Sequence, residues 1–145
     1  APFLLRRLKT DPAVISDLPE KVISPQYCRL SPEQAALYES LIQTQLGDVL
    51  KADGDLQRNA LMLKLLTALK QVCNHPHVYD TSLPADTALS GKTTALIQLL
   101  AEILETGEKV LIFSQYTQTL FLLQQLIRQE LNTECLLLHG QMLRF

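Results

Sequence analysis

The chain has 145 residues, 47% of them hydrophobic, and that length and apolar share suffice for a hydrophobic core. A net charge of -2 and a pI near 5.9 exclude bulk electrostatic attraction to nucleic acid and leave any such contact to local basic patches. Three scattered cysteines without a CxxC pair fit reduced thiols, and neither a signal-peptide pattern nor a bilayer-length apolar run of roughly 20 residues is present, so the expectation is a protein with no membrane partner, in a prokaryotic cytoplasm ahead of a nucleus.

At the N-terminus, Leu4, Leu5 and Leu8 form a short amphipathic stretch with Arg6, Arg7 and Lys9 interleaved. Residues Lys21 to Leu30 alternate loosely and suit a strand that sits at an edge or is interrupted at Pro25, because proline cannot donate to a ladder. Ser31-Pro32-Glu33-Gln34 is a helix start: Ser31 can cap, Pro32 fits the first helical position, and Gln34 closes a capping box. Leu37, Tyr38, Leu41, Ile42, Leu46, Val49 and Leu50 then repeat at helical spacing, and Ala52-Asp53-Gly54-Asp55 stops the run. A second helix from about Asn59 to Val72 should pack against the first as an antiparallel hairpin.

Asn74 to Leu89 holds Pro76, Pro84 and small polar residues and reads as a linker, which divides the chain into residues 1–84 and 85–145. From Lys92, a continuous apolar stripe through Leu96, Leu100 and Leu104 marks a helix that Thr106-Gly107 ends. Val110 to Phe113 suits a strand buried on both faces of a parallel sheet, and a long amphipathic helix after Thr117 leads to a second apolar run, Cys135 to Leu138. The expected fold class is therefore α/β, a helical hairpin followed by a βαβ unit. Ser114, Gln115 and Thr117 fall at the carboxyl end of the first strand and His139-Gly140 at the tip of the next, where open α/β sheets hold ligands.

Several motifs have more than one reading. Ser90-Gly91-Lys92-Thr93 resembles the end of a phosphate loop, but the glycine required five positions before Gly91 is replaced by Asp86, so Ser90 as a helix cap is the simpler account. Cys73-Asn74-His75-Pro76-His77 offers three potential metal ligands without the second cluster that a zinc site needs. The basic residues Arg6, Arg7, Lys9, Lys21 and Arg29 are either a solvated face or contacts to phosphates, which Lys and Arg neutralise without reading sequence. No catalytic constellation of paired carboxylates, Ser-His-Asp or acidic metal ligands is present.

Four segments, "LLRRLKTDPAVISDLPEK" from Leu4, "LKQVCNHP" from Leu69, "SGK" from Ser90 and "KVLIFSQYTQTL" from Lys109, occur together in this order. In that order they resemble the Swi/Snf family of DNA-dependent ATPases in helicase superfamily two. The resemblance implies a fragment spanning the end of motor lobe one, a helical protrusion and the start of a second, RecA-like (helicase C-terminal) lobe. It places Ser114, Gln115, Thr117, His139 and Gly140 against a DNA-tracking groove, and Arg6, Arg7, Lys9 and Lys21 where lobes couple or phosphates are met. It also makes "CNHP" a helix end fastened by Asn and His, with the proline forbidding further helix. The fragment itself would be non-catalytic and hold no cofactor, with ATP and magnesium bound by the intact motor. Its partners would be DNA and the first motor lobe, with self-association through uncovered strand edges. The alternative is a stand-alone helical protein-interaction module.

Overall fold

Ser31 begins the first helix as its residue type predicts. Its hydroxyl accepts from the Gln34 amide while the Gln34 side chain accepts from the Ser31 amide, a complete capping box with Pro32 in the first turn. The computed structural model, which describes residue 3, residues 7, 8 and 11, and residues 14–140, carries this helix, α1, over Pro32–Lys51. Gly54, at φ 90°, turns the chain into α2, Asp55–Asn74. Leu41 of α1 packs with Ala68 and Val72 of α2, joined by Leu37, Tyr38 and Leu69, and the expected hairpin is present.

The segment after α2 is more ordered than its proline content suggests. Helix α2 ends at Asn74 with His75 extended, where the "CNHP" run is expected to end it, and Pro76 then occupies the first turn of a short separate helix, α3 (Pro76–Tyr79), with a 3-10 turn following at Thr87–Leu89. Helix α4 spans Gly91–Glu105 and ends as Gly107, at φ 74°, donates to Leu104 O while Glu108 donates to Ile103 O, a Schellman arrangement. Helix α5 covers Thr117–Leu131. Val78 of α3 packs on Leu122 and Leu126, and Leu100 of α4 packs on Leu123 and Ile127, so α3 bridges the hairpin to the α4–α5 pair.

The expected βαβ unit is absent: among the described residues there is no strand, and the α/β class with a partial RecA-like lobe gives way to a helical fold. A strand exists only by ladder pairing with a neighbour about 4.8 Å away, and neither apolar run finds one. Ile112 and Cys135 instead pack singly onto the Leu100–Leu123–Ile127 cluster, and the Cys135 carbonyl accepts from the Gln124 side chain of α5 at 2.8 Å. Burial is correspondingly one-sided: Leu111 and Phe113 are 84% and 87% exposed, and Leu136 and Leu138 are 102% and 86% exposed. The run from Lys21 to Leu30 is likewise not a strand and is exposed throughout.

A buried polar knot ties the halves together across position 85. Gln34, 1% exposed, donates to Val72 O at 2.7 Å and accepts from the Gly91 amide at 3.3 Å. Ser31 Oγ donates to Leu89 O at 2.9 Å. Gly91 is required here, because a Cβ would collide with the carbonyl oxygen of Arg29.

Candidate functional site

Two serines position the walls of a surface notch. Ser90 Oγ donates to Asn74 O at 2.7 Å and accepts from the Thr93 amide, capping α4 and pinning its first turn to the last turn of α2. Ser114 Oγ accepts from the Tyr116 amide at 3.2 Å and folds residues 114–116 into a local turn ahead of α5. Between them lies a notch of about 380 Å³ lined by Lys70, Cys73 and Asn74 of α2, Lys92 of α4, and Phe113, Ser114, Gln115 and Tyr116. Lys92 Nζ donates to Asn74 Oδ1 at 3.1 Å, which leaves further ammonium donors unused.

The lining holds two lysines and no carboxylate, so its charge is net positive in a chain whose net charge is -2. Helix α5 starts at the notch wall with Tyr116 as N-cap and no side-chain cap, leaving its partial positive end uncompensated by a side chain. The Ser114 hydroxyl proton is engaged by the Tyr116 carbonyl at 3.3 Å, so the donors left for an oxyanion are the two ammonium groups and the Gln115 amide.

Behind the notch, His75 is fully buried. The His77 amide can only donate, so His75 Nδ1 accepts at 3.0 Å, and the ring proton sits on Nε2, donating to Asp86 O at 2.8 Å. His77 Nδ1 donates to Leu83 O at 2.6 Å. Burial, with His77 nearby, lowers the pKa of His75 from its ordinary 6.5, against the opposing pull of Asp86. Both His75 nitrogens serve the backbone, so the "CNHPH" run is a loop clamp and its ring has no lone pair free for a metal.

Of the residues singled out by sequence, Ser114 and Gln115 line the notch, and Thr117 follows directly as the first residue of α5. His139 lies elsewhere, its ring edge-to-face with Phe121 at 5.4 Å, and Gly140 is exposed beside it. Phe121 borders a separate recess with Gln124 and Arg128. Arg7 and Lys21 are exposed and do not line the notch; Arg6 and Lys9 lie outside the described residues. Sequence reading missed Lys70 and Lys92 as members of the site. The spacing of Lys70 and Asn74 puts both on one helical face, but nothing local places Lys92 opposite them.

The Ser90-Gly91-Lys92-Thr93 segment does not fit a nucleotide phosphate cradle. Its Gly91 amide is taken by Gln34 and its Thr93 amide by Ser90, and the Arg29 backbone fills the space over Gly91.

Residues 1–78 match the SNF2-related domain. The chain is 40% identical over 131 residues to the mouse SWI/SNF-related matrix-associated actin-dependent regulator of chromatin subfamily A member 1, covering 85% of this chain and 12% of that protein. It is 37% identical over 145 residues to a Bacillus subtilis protein named for an ATP-dependent helicase/translocase, covering 97% of this chain and 15% of that one. Among solved structures it resembles the Sulfolobus solfataricus SWI2/SNF2 ATPase core in complex with dsDNA, with TM-score 0.74, 35% identity, 92% of this chain and 28% of that one. The C-terminal domain of the Sulfolobus solfataricus SWI2/SNF2 ATPase aligns with TM-score 0.76 at 30% identity, over 82% of this chain and 51% of that one. The chain thus spans about 15% and 12% of the length of the two curated relatives.

Proposed function

The chain belongs to the SNF2-related domain family, and from that premise we propose that it is the connecting piece of an ATP-driven double-stranded-DNA translocase, contacting the DNA backbone and coupling motor halves without catalysing hydrolysis itself. The observation that carries this reading is the carboxylate-free notch in which Ser114 and Gln115 meet two lysines. A related ATPase core, 35% identical, has been solved on duplex DNA, which supplies the partner class. Phosphate contacts position a protein on a duplex without reading bases, the role a translocating motor needs at every step.

ATP and magnesium belong to other parts of the motor in this reading, since the segment nearest to a phosphate loop has its amides occupied. Arg7 and Lys21 serve lobe coupling, as exposed cations ahead of the hairpin. Association with a second copy is part of the same proposal, supported by the exposure of Leu111, Phe113, Leu136 and Leu138. Light scattering at micromolar concentration tests it, and a mass of 16.3 kDa, that of one chain, would refute it.

The experiment for the motor reading is the Gln115→Ala variant of the intact protein. DNA-stimulated ATP turnover should fall more than basal turnover; equal losses would place Gln115 in folding or nucleotide contact.

A further inference from the structure

We propose that His75 is an acid-operated latch: on taking up a second proton its ring leaves its site, frees Asp86 and the 3-10 turn at Thr87–Leu89, and slackens the link between the hairpin and the α4–α5 pair. The inference goes beyond the motor reading and does not depend on it.

The geometry makes the ring all-or-none. Neutral His75 accepts the His77 amide at Nδ1 and donates from Nε2 to Asp86 O, so one buried side chain ties the first turn of α3 to the approach of the 3-10 turn. Protonation places a second N–H on Nδ1, facing the His77 N–H, and two donors meet where one bond had been. Fully buried, the imidazolium finds no acceptor for that proton in place and must move out, giving up Asp86 O as well. His77 behaves differently: its Nδ1–H donates to Leu83 O whether or not Nε2 is protonated, so the first half of the loop stays held.

What the turn holds decides what its release does. Thr87 O accepts from the hydroxyls of Thr93 and Thr94 at 2.9 and 3.0 Å, and Leu89 O accepts from Ser31 Oγ. These bonds fasten the start of α4 and the cap of α1 to the turn. The Leu41–Ala68–Val72 and Leu100–Leu123–Ile127 clusters include no residue of it, so the helices stay packed when it opens.

Burial is the main force that keeps the ring neutral; His77 acts in the same direction, and Asp86, through its carbonyl and its carboxylate, in the other. Among the described residues, α1, α2, α4 and α5 add no charged group acting on the ring. Around the loop, Glu130 of α5 accepts from the Thr87 hydroxyl and Lys92 of α4 is bonded to Asn74. The Asp80 carboxyl is held below its ordinary 3.8 by Ser82 and stays ionised throughout mild acid.

The test uses the chain itself, 15N-labelled and titrated from pH 7.5 to 5.5. Imidazole nitrogen shifts should show His75 as the neutral Nε2–H form at pH 7.5. Amide exchange at His77, Ala88 and Leu89, corrected for its intrinsic pH dependence, should rise about tenfold for each pH unit below 6.5, the limit for one linked proton. The Val72 and Leu126 amides should hold. His75→Gln, whose amide can accept from His77 and donate to Asp86 O but takes up no proton, should abolish the rise, and Glu130→Gln should keep it. An Nδ1–H tautomer, an equal rise at Val72 and Leu126, or a rise that persists in His75→Gln would each overturn the latch. The tautomer and the exchange pattern are read in the native chain, so they decide the matter even where a variant fails to fold.

Discussion

The hairpin and the α4–α5 half treat their apolar residues differently. Helices α1 and α2 are neighbours in sequence, and the Leu41–Ala68–Val72 seam closes between them with a capped start and a glycine turn. The C-terminal half buries Leu122, Leu123, Leu126 and Ile127 of α5 just as well, yet leaves four large apolar side chains on its non-helical segments 84–102% exposed. Helices satisfy their own backbones wherever they lie, whereas an apolar extended segment needs a neighbour before its polar groups and its second face are covered. The hairpin thus leaves its exposed apolar residues, such as Leu50, Leu56 and Leu63, on helices whose backbones are satisfied, whereas the second half leaves its most exposed ones on extended segments.

The largest expected effect is at the joint between the regions. Leu126, 1% exposed, packs on Val78 and Leu122, and Leu126→Ala should cost about 2–5 kcal/mol, read as a lowered urea midpoint. If the hairpin is the more self-sufficient half, far-UV helicity should survive better than the burial of α5 in that variant; simultaneous loss would erase the distinction.

Next comes Gln34→Ala, which strands the buried Val72 carbonyl and the Gly91 amide. Each unsatisfied group costs roughly 1–3 kcal/mol, and hydrogen exchange should rise first near Gly91. A uniform rise over the whole chain would show that the knot does not sit between two units.

Ser31→Ala removes a helix cap worth about 1 kcal/mol, together with the bond to Leu89 O. Its melting shift should therefore exceed that of Ser82→Ala, whose hydroxyl bonds only to Asp80 in an exposed turn.

The smallest effect is a pH dependence at the clamp. His75 has a folded pKa below the ordinary 6.5 because it is buried, so the unfolded chain takes up the proton first as pH falls. Its contribution is whole above 6.5 and is lost as pH falls through the folded value. Melting temperature should drop more between pH 7.5 and 5.5 in the native chain than in His75→Gln; equal drops would assign the acid sensitivity to other groups.

What sequence revealed, and what it concealed, follows from range. The capping box at Ser31 and Gln34, the stop at Ala52–Gly54 and the Gly107 exit from α4 are matters of residues within a turn of each other, and each is where the pattern put it. The run Val110 to Phe113 misled because a buried strand and a one-sided extended segment share the same local composition. Only the presence of a partner distinguishes them. The notch was half legible: Ser114 and Gln115 stood out at the end of an apolar run, but Lys92 joins Lys70 only through the Ser90–Asn74 bond, a pairing that no periodicity announces.

The knot has a consequence in time as well as in space. Its bonds link Ser31 to Leu89 and Gln34 to Gly91, 58 and 57 positions apart along the chain, while α1 and α2 meet across a turn of a few residues. Closing a long loop loses chain entropy before any bond rewards it, and contacts between sequence neighbours form sooner. The hairpin therefore condenses early, and the α4–α5 pair docks onto a ready surface. The close approach of Gly91 to the Arg29 carbonyl belongs with these long-range contacts and so with the later, docking stage.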